Sequence, residues 1–227
     1  MTRVPVAALL TCVLMFAPAC TRSSDGVPTA GDDTHRSTQT ASPGETPYPG
    51  NSDDDPMPGV VPTTAPAGAP CPPADMPPVR VVAEVTDPEA PTATVGVPEG
   101  WSMASGDSDP EGARLEGPEQ MEAVVLIQPT APDPEEAFRE WIDFLTDGAT
   151  VSTVSTLPGE MCGYSGQVLI GNLADDTQSV EYRDRLLHVS TPAQAYLIVI
   201  HAEAPAGTPG FEEAAAVVTA DFEIGLP

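Results

Sequence analysis

Glu181-Tyr182-Arg183-Asp184-Arg185-Leu186-Leu187-His188-Val189-Ser190, the turn Thr191-Pro192-Ala193, and Ala195-Tyr196-Leu197-Ile198-Val199-Ile200-His201-Ala202 decide the fold. Two strand-like runs on either side of a proline turn form a hairpin. The first arm belongs to a strand expected from Ser179 to Ser190. The second, Ala195 to Ala202, is the most apolar strand of the chain. With the turn near Pro192, His188 should face Tyr196 or Leu197, and His201 should lie near Arg183 or Asp184.

Working backwards, Thr150 to Thr156 and Gln167 to Asn172 read as two further strands. Val81 to Val85 and Ala93 to Val97 are earlier ones, the second stopped by Pro98-Glu99-Gly100. Glu122 to Gln128 is a short apolar run ended by Pro129, which suits a buried strand. Between them Asp133-Pro134-Glu135-Glu136 opens a helix, with a capping Asp, Pro at the first helical position and acids in the first turn. Phe138, Trp141, Ile142 and Leu145 then recur at helical spacing as one apolar stripe, and Asp147-Gly148 ends it. Working forwards, Thr208-Pro209 opens a last helix with Phe211, Ala215, Val218 and Phe222 on its inner face. Antiparallel strands with one helix inserted early and another at the end give an α+β class, helices packed on an antiparallel sheet. Residues 79–227 make one domain by size.

Ahead of the domain the pattern changes. Arg3 and an apolar run from Val4 to Ala19 read as a signal peptide over residues 1–19, too short for a spanning helix of roughly 20 apolar residues. Ala19-Cys20, followed by polar residues, suits lipid attachment to Cys20; Ala17-Pro18-Ala19 also satisfies an ordinary A-x-A cleavage site. Residues 20–78 are dominated by Pro, Thr, Ser, Gly and Asp, a composition that cannot bury enough apolar surface to order itself. They are expected to be a disordered tether with a reach of roughly 40 Å.

The 34 acids stand against 8 bases, all arginine, for a net charge of -26. That charge disfavours nucleic acid and anionic headgroups as partners, and the lack of lysine excludes Schiff-base and Walker-type chemistry. Cys12 lies in the signal and Cys20 at its end, leaving Cys71 and Cys162. One pair in an exported domain reads as a disulfide, ahead of two free thiols or a reactive Cys162.

Motifs that carry chemistry are scarce in the chain. Gly163-Tyr164-Ser165-Gly166 approaches a nucleophile elbow, but Gln167 stands where the last Gly belongs, so a turn is expected. His35 falls in the tether, and His188 and His201 read as packed or solvent-facing residues. Asp107, Asp109, Glu111 and Gly112 copy the opening of a calcium loop, yet Pro118 occupies the closing position, which points to a solvated connection. Neither metal nor cofactor is expected. Trp101 leaves a strand through the Pro98-Glu99-Gly100 turn; it either caps the core or lines a ligand pocket.

Over about residues 79–227 the chain resembles the actinobacterial LpqN/LpqT lipoprotein family. The resemblance rests on Val97-Pro98-Glu99-Gly100-Trp101, Val124-Val125-Leu126-Ile127-Gln128-Pro129, Gly163-Tyr164-Ser165 and Ala195-Tyr196-Leu197-Ile198-Val199-Ile200. It implies a Mog1/PsbP-like α/β/α sandwich and a non-catalytic accessory protein, lipid-anchored on the outer face of the cell membrane. The resemblance also implies partners among envelope lipids, glycolipids or membrane transport proteins. The strong acidity and the Cys71/Cys162 pair are departures from the family. Residue reading and resemblance together give an expected non-enzymatic envelope lipoprotein that binds a lipid, glycolipid or membrane-protein partner. The alternatives are a secreted hydrolase using Ser165 or another unrecognised nucleophile, or a passive structural lipoprotein.

Overall fold

The hairpin around Thr191-Pro192-Ala193 lies at the middle of the main sheet. The computed structural model describes residues 56–62, 71, 75–105 and 109–227. In chain order these form β1 (Arg80–Ala83), β2 (Thr92–Gly96), β3 (Ser102–Ser105), β4 (Glu111–Glu116), a 3-10 turn (Pro118–Gln120), β5 (Glu122–Pro129), α1 (Pro134–Thr146), β6 (Val151–Pro158), β7 (Gly166–Ala174), β8 (Ser179–Ser190), β9 (Ala195–Pro205), α2 (Phe211–Val218) and β10 (Glu223–Gly225). Seven strands make one sheet in the order β3-β4-β5-β9-β8-β7-β6, and β1-β2-β10 make a second. Every pairing is antiparallel. The expected register holds: His188 pairs with Leu197, and His201 with Asp184.

Alternation along β8 and β9 supplies two cores, because successive side chains point to opposite faces. Tyr182, Leu186, Leu197 and Val199 meet Phe138 and Trp141 of α1 on one face. Leu187, Val189, Tyr196, Ile198 and Ile200 belong with Phe211, Ala215 and Val218 of α2, and with Val95 of β2, on the other. The architecture is thus three layers, but the second outer layer is a small sheet with one helix, not helices alone.

α1 follows its sequence signals. The Asp133 carboxylate accepts from the Glu135 N–H at 3.1 Å, and Pro134 stands at the start. Ala137, Phe138 and Trp141 are buried, and Ile142 and Leu145 pack beside them. α2 begins later than Thr208-Pro209, after a left-handed Gly210. It ends at Val218, so Phe222 is not on the helix, although it is buried; it lies in the segment leading to β10.

Two further features depart from the sequence reading. The stretch taken as a solvated calcium-like connection contains β4, whose Ala113 and Leu115 are fully buried. Gly112 is needed there because a Cβ would lie 2.9 Å from the Glu84 nitrogen. The tether expectation over residues 20–78 also fails in part. Met57 and Val60 pack against the α1-side core, and the Gly166 N–H donates to the Gly59 carbonyl at 2.9 Å. Residues 57–62 are therefore a strap on the domain. Residues 1–55, with the expected signal and Cys20, lie outside the described residues, as does Asp107.

Candidate functional site

The loop after β2 forms because Pro98 and Glu99 end the strand and Gly100 takes a left-handed conformation, φ 81°. The Trp101 N–H closes the turn on the Pro98 carbonyl at 3.2 Å, and the Val97 N–H bonds the Val79 carbonyl at 3.0 Å. These bonds hold Trp101 at the edge of a cleft of about 720 Å3. Pro77, Pro78 and Val79 form one wall, and Ala214 and Val217 of α2 another, with Pro118 and Met121 between. The indole lies over Gly117, where any side chain would collide with the ring.

Among the described residues the lining is mostly aliphatic, proline and indole, with Glu99 and Glu213 as its charged groups and no cationic side chain. Such a surface accepts an apolar chain or ring and repels an anionic head. Trp101 both packs against the core and lines the cleft. The remainder of the cleft was not legible in the sequence, because its walls come from four separated segments.

On the opposite face of the main sheet a line of polar groups crosses three strands. Asp184 is fully buried; one carboxylate oxygen accepts from the Trp141 indole N–H at 2.8 Å, and the other meets His201 Nδ1 at 2.6 Å. His201 Nε2 lies 3.2 Å from Glu203. Burial opposes the imidazolium, but the Asp184 and Glu203 carboxylates together outweigh it and push the pKa up to about 10. The hydrogen bond from His201 in turn holds Glu203 below its ordinary value, while burial, followed by the Glu203 carboxylate, raises Glu122. An imidazole with both nitrogens bonded to carboxylates and its charged form favoured is a poor general base.

The remaining sequence candidates fall into structural roles. Ser165 is fully buried; its hydroxyl accepts from the Val61 N–H at 2.9 Å and donates to the Val61 carbonyl at 3.0 Å. It is a clip for the strap and does not stand free as a nucleophile. His188 is buried with Nε2 2.9 Å from the Ala131 carbonyl. Asp109 accepts from the N–H and hydroxyl of Thr86, and Glu111 pairs with Arg114 at 2.6 Å. Among the described residues no group of three or more His, Cys, Asp or Glu could hold a metal ion. Cys71 and Cys162 form a disulfide, with Cα atoms 6.1 Å apart. Cys71 also bridges to Ile224 of β10.

The fold and cleft define a three-layer α+β protein with an antiparallel main sheet. No protein-family model matches the chain, and no curated protein matches it in sequence. Among solved structures it is similar to LpqN, described as involved in cell envelope biogenesis of Mycobacterium tuberculosis. The two are 16% identical over 65% of this chain and 91% of that one, with a TM-score of 0.51. A match to cyanobacterial PsbP from Synechocystis sp. PCC 6803 has 11% identity, 65% and 92% coverage, and a TM-score of 0.35. At such identities the likeness to LpqN is one of fold. No helix among the described residues is long and apolar enough to cross a membrane.

Proposed function

We propose that this is a non-catalytic accessory protein of the cell envelope, lipid-anchored through Cys20 outside the cell membrane, whose Trp101 cleft binds the apolar part of a lipid or glycolipid. The observation that carries the reading is the cleft: about 720 Å3, walled by proline, aliphatic side chains and one indole. Its volume suits a ligand of small-molecule size. The apolar N-terminal run ending at Ala19-Cys20 supports export and anchoring. The shared fold with LpqN, a protein described as acting in envelope biogenesis, and the sequence resemblance to its family support the compartment. A hydrolase using Ser165 is less well supported, because its hydroxyl is already engaged on both sides by Val61. A passive structural role leaves the cleft without a use.

The test is lipid carried through purification from envelope, identified by mass spectrometry. Wild-type protein should retain lipid. Ala214→Phe, which fills the cleft from α2, should retain about tenfold less, equivalent to 1.4 kcal/mol. Trp101→Ala should also lose lipid while costing less than the 3–5 kcal/mol of a fully buried Trp truncation. Equal lipid in all three proteins would overturn the cleft as the site. The anchor is read separately: Cys20→Ala should move the protein from the membrane to the soluble fraction or leave it as precursor.

A further inference from the structure

The main sheet ends on one side at β3, four residues long, and on the other at β6, eight residues long. β6 reads Val151-Ser152-Thr153-Val154-Ser155-Thr156-Leu157-Pro158. In a chain with 34 acids and 8 bases it carries no charge, and its ladder with β7 runs without a bulge. Natural proteins guard long edge strands with Lys, inward charges, bulges or a covering element. Among the described residues only the terminal Pro158 acts that way here. Val151 is 61% exposed and Leu157 47%, high for aliphatic side chains at a sheet margin.

The direction of the free backbone groups follows from the ladder. The Gly159 N–H bonds the Gly166 carbonyl, and the Thr153 carbonyl lies against Gly171 of β7, accepting from the Tyr182 hydroxyl at 3.1 Å, so odd-numbered residues turn their backbone groups toward β7. Ser152, Val154 and Thr156 turn theirs outward. Among the described residues nothing pairs with them.

The sequence of β6 is also symmetric in its chemistry. From Val151 to Leu157 it runs apolar, hydroxyl, hydroxyl, apolar, hydroxyl, hydroxyl, apolar. A two-fold axis through Val154 places Val154 against itself, Ser152 against Thr156, Thr153 against Ser155 and Val151 against Leu157. This self-complementarity is what an isologous contact demands. Val154 and the Ser152/Thr156 pairs then exchange the outward backbone bonds. The exposed Val151 and Leu157 cover each other at the closer, non-hydrogen-bonded positions.

We infer that β6 is a dimerisation edge, and that its partner is β6 of a second copy, joined antiparallel about Val154 into one continuous sheet. The net charge of -26 on each chain opposes the approach, and salt screens it over a Debye length of about 8 Å at physiological strength. Both margins of the sheet are uncharged, but β3 is only four residues long, and β6 offers the longer margin along which two such chains can meet without bringing carboxylates into register.

Sedimentation velocity on the purified Cys20→Ala protein, disulfide intact, tests this over a concentration and salt series. A reversible monomer–dimer equilibrium is expected, tightening as salt rises. Ser155→Lys adds the charge that edges use against pairing and should weaken the dimer about tenfold or more. Because Ser155 is exposed, an unchanged melting temperature would show that the fold survives. Register is read by Val151→Cys with Leu157→Cys, which should oxidise to dimers whose peptide map joins 151 of one copy to 157 of the other. A monomer at millimolar concentration and high salt, a dimer indifferent to Ser155→Lys, or cross-links in any other register would each overturn the inference.

Discussion

Asp184 lies in β8 with no solvent exposure, and both of its oxygens are engaged, one by the Trp141 indole and one by His201. The pair places a cation and an anion where each would be costly alone. Since His201 is raised from about 6.5 to about 10 in the folded protein, its contribution has a definite sign in pH. The stabilisation is fully present below about 6.5 and is lost as pH rises through about 10. Urea unfolding from pH 6 to 10 should therefore show wild-type stability falling across that window, with a flatter profile for His201→Phe. Matching profiles would mean that the imidazolium is not held by Asp184. The sequence supplied the neighbour relation, because hairpin register alone puts position 201 opposite 184. It could not supply the charge state, which is set by burial against the combined pull of the Asp184 and Glu203 carboxylates.

At the level of elements, the strap shows how reading by periodicity runs out. Met57-Pro58-Gly59-Val60-Val61 has no helical or strand period, and its order comes entirely from docking. Gly59 carries φ 77°, Gln167 donates to the Pro58 carbonyl at 2.8 Å, and Ser165 clips Val61 on both sides. Ser165→Ala should release this clip at a cost of about 1 to 3 kcal/mol for two hydrogen bonds. Hydrogen exchange should then quicken at Val61 and Gly166 and remain unchanged in α1. Unchanged protection at Val61 would show that Met57 and Val60 alone hold the strap. β4 was hidden for a different reason: Glu, Gly and Arg surround its buried Ala113 and Leu115, so its alternation is visible only beside β5. α1 and the β8–β9 hairpin were legible because cap, stripe and turn are local.

Across the whole molecule, the disulfide joins positions separated by 91 residues. Removing it frees a large loop in the unfolded chain, which the chain-entropy account values at about 4 to 5 kcal/mol. Cys71→Ala with Cys162→Ala should lower stability by that order in urea unfolding, and a change below about 1 kcal/mol would show that the unfolded chain is restrained by other means. The bond was legible from cysteine count and compartment; that Cys71 also joins β10 was not, because a three-residue strand leaves no pattern. The same bond has a mechanical meaning. In the proposed anchored state, tension drawn along the N-terminal chain reaches Pro58 first, then Gly59, then Val61, each held by non-covalent bonds to the start of β7 or to Ser165 before it. If these peel away, the pull is arrested at Cys71 and passes through a covalent link into Cys162. The strap can thus yield as a fuse before the pull reaches the covalent link.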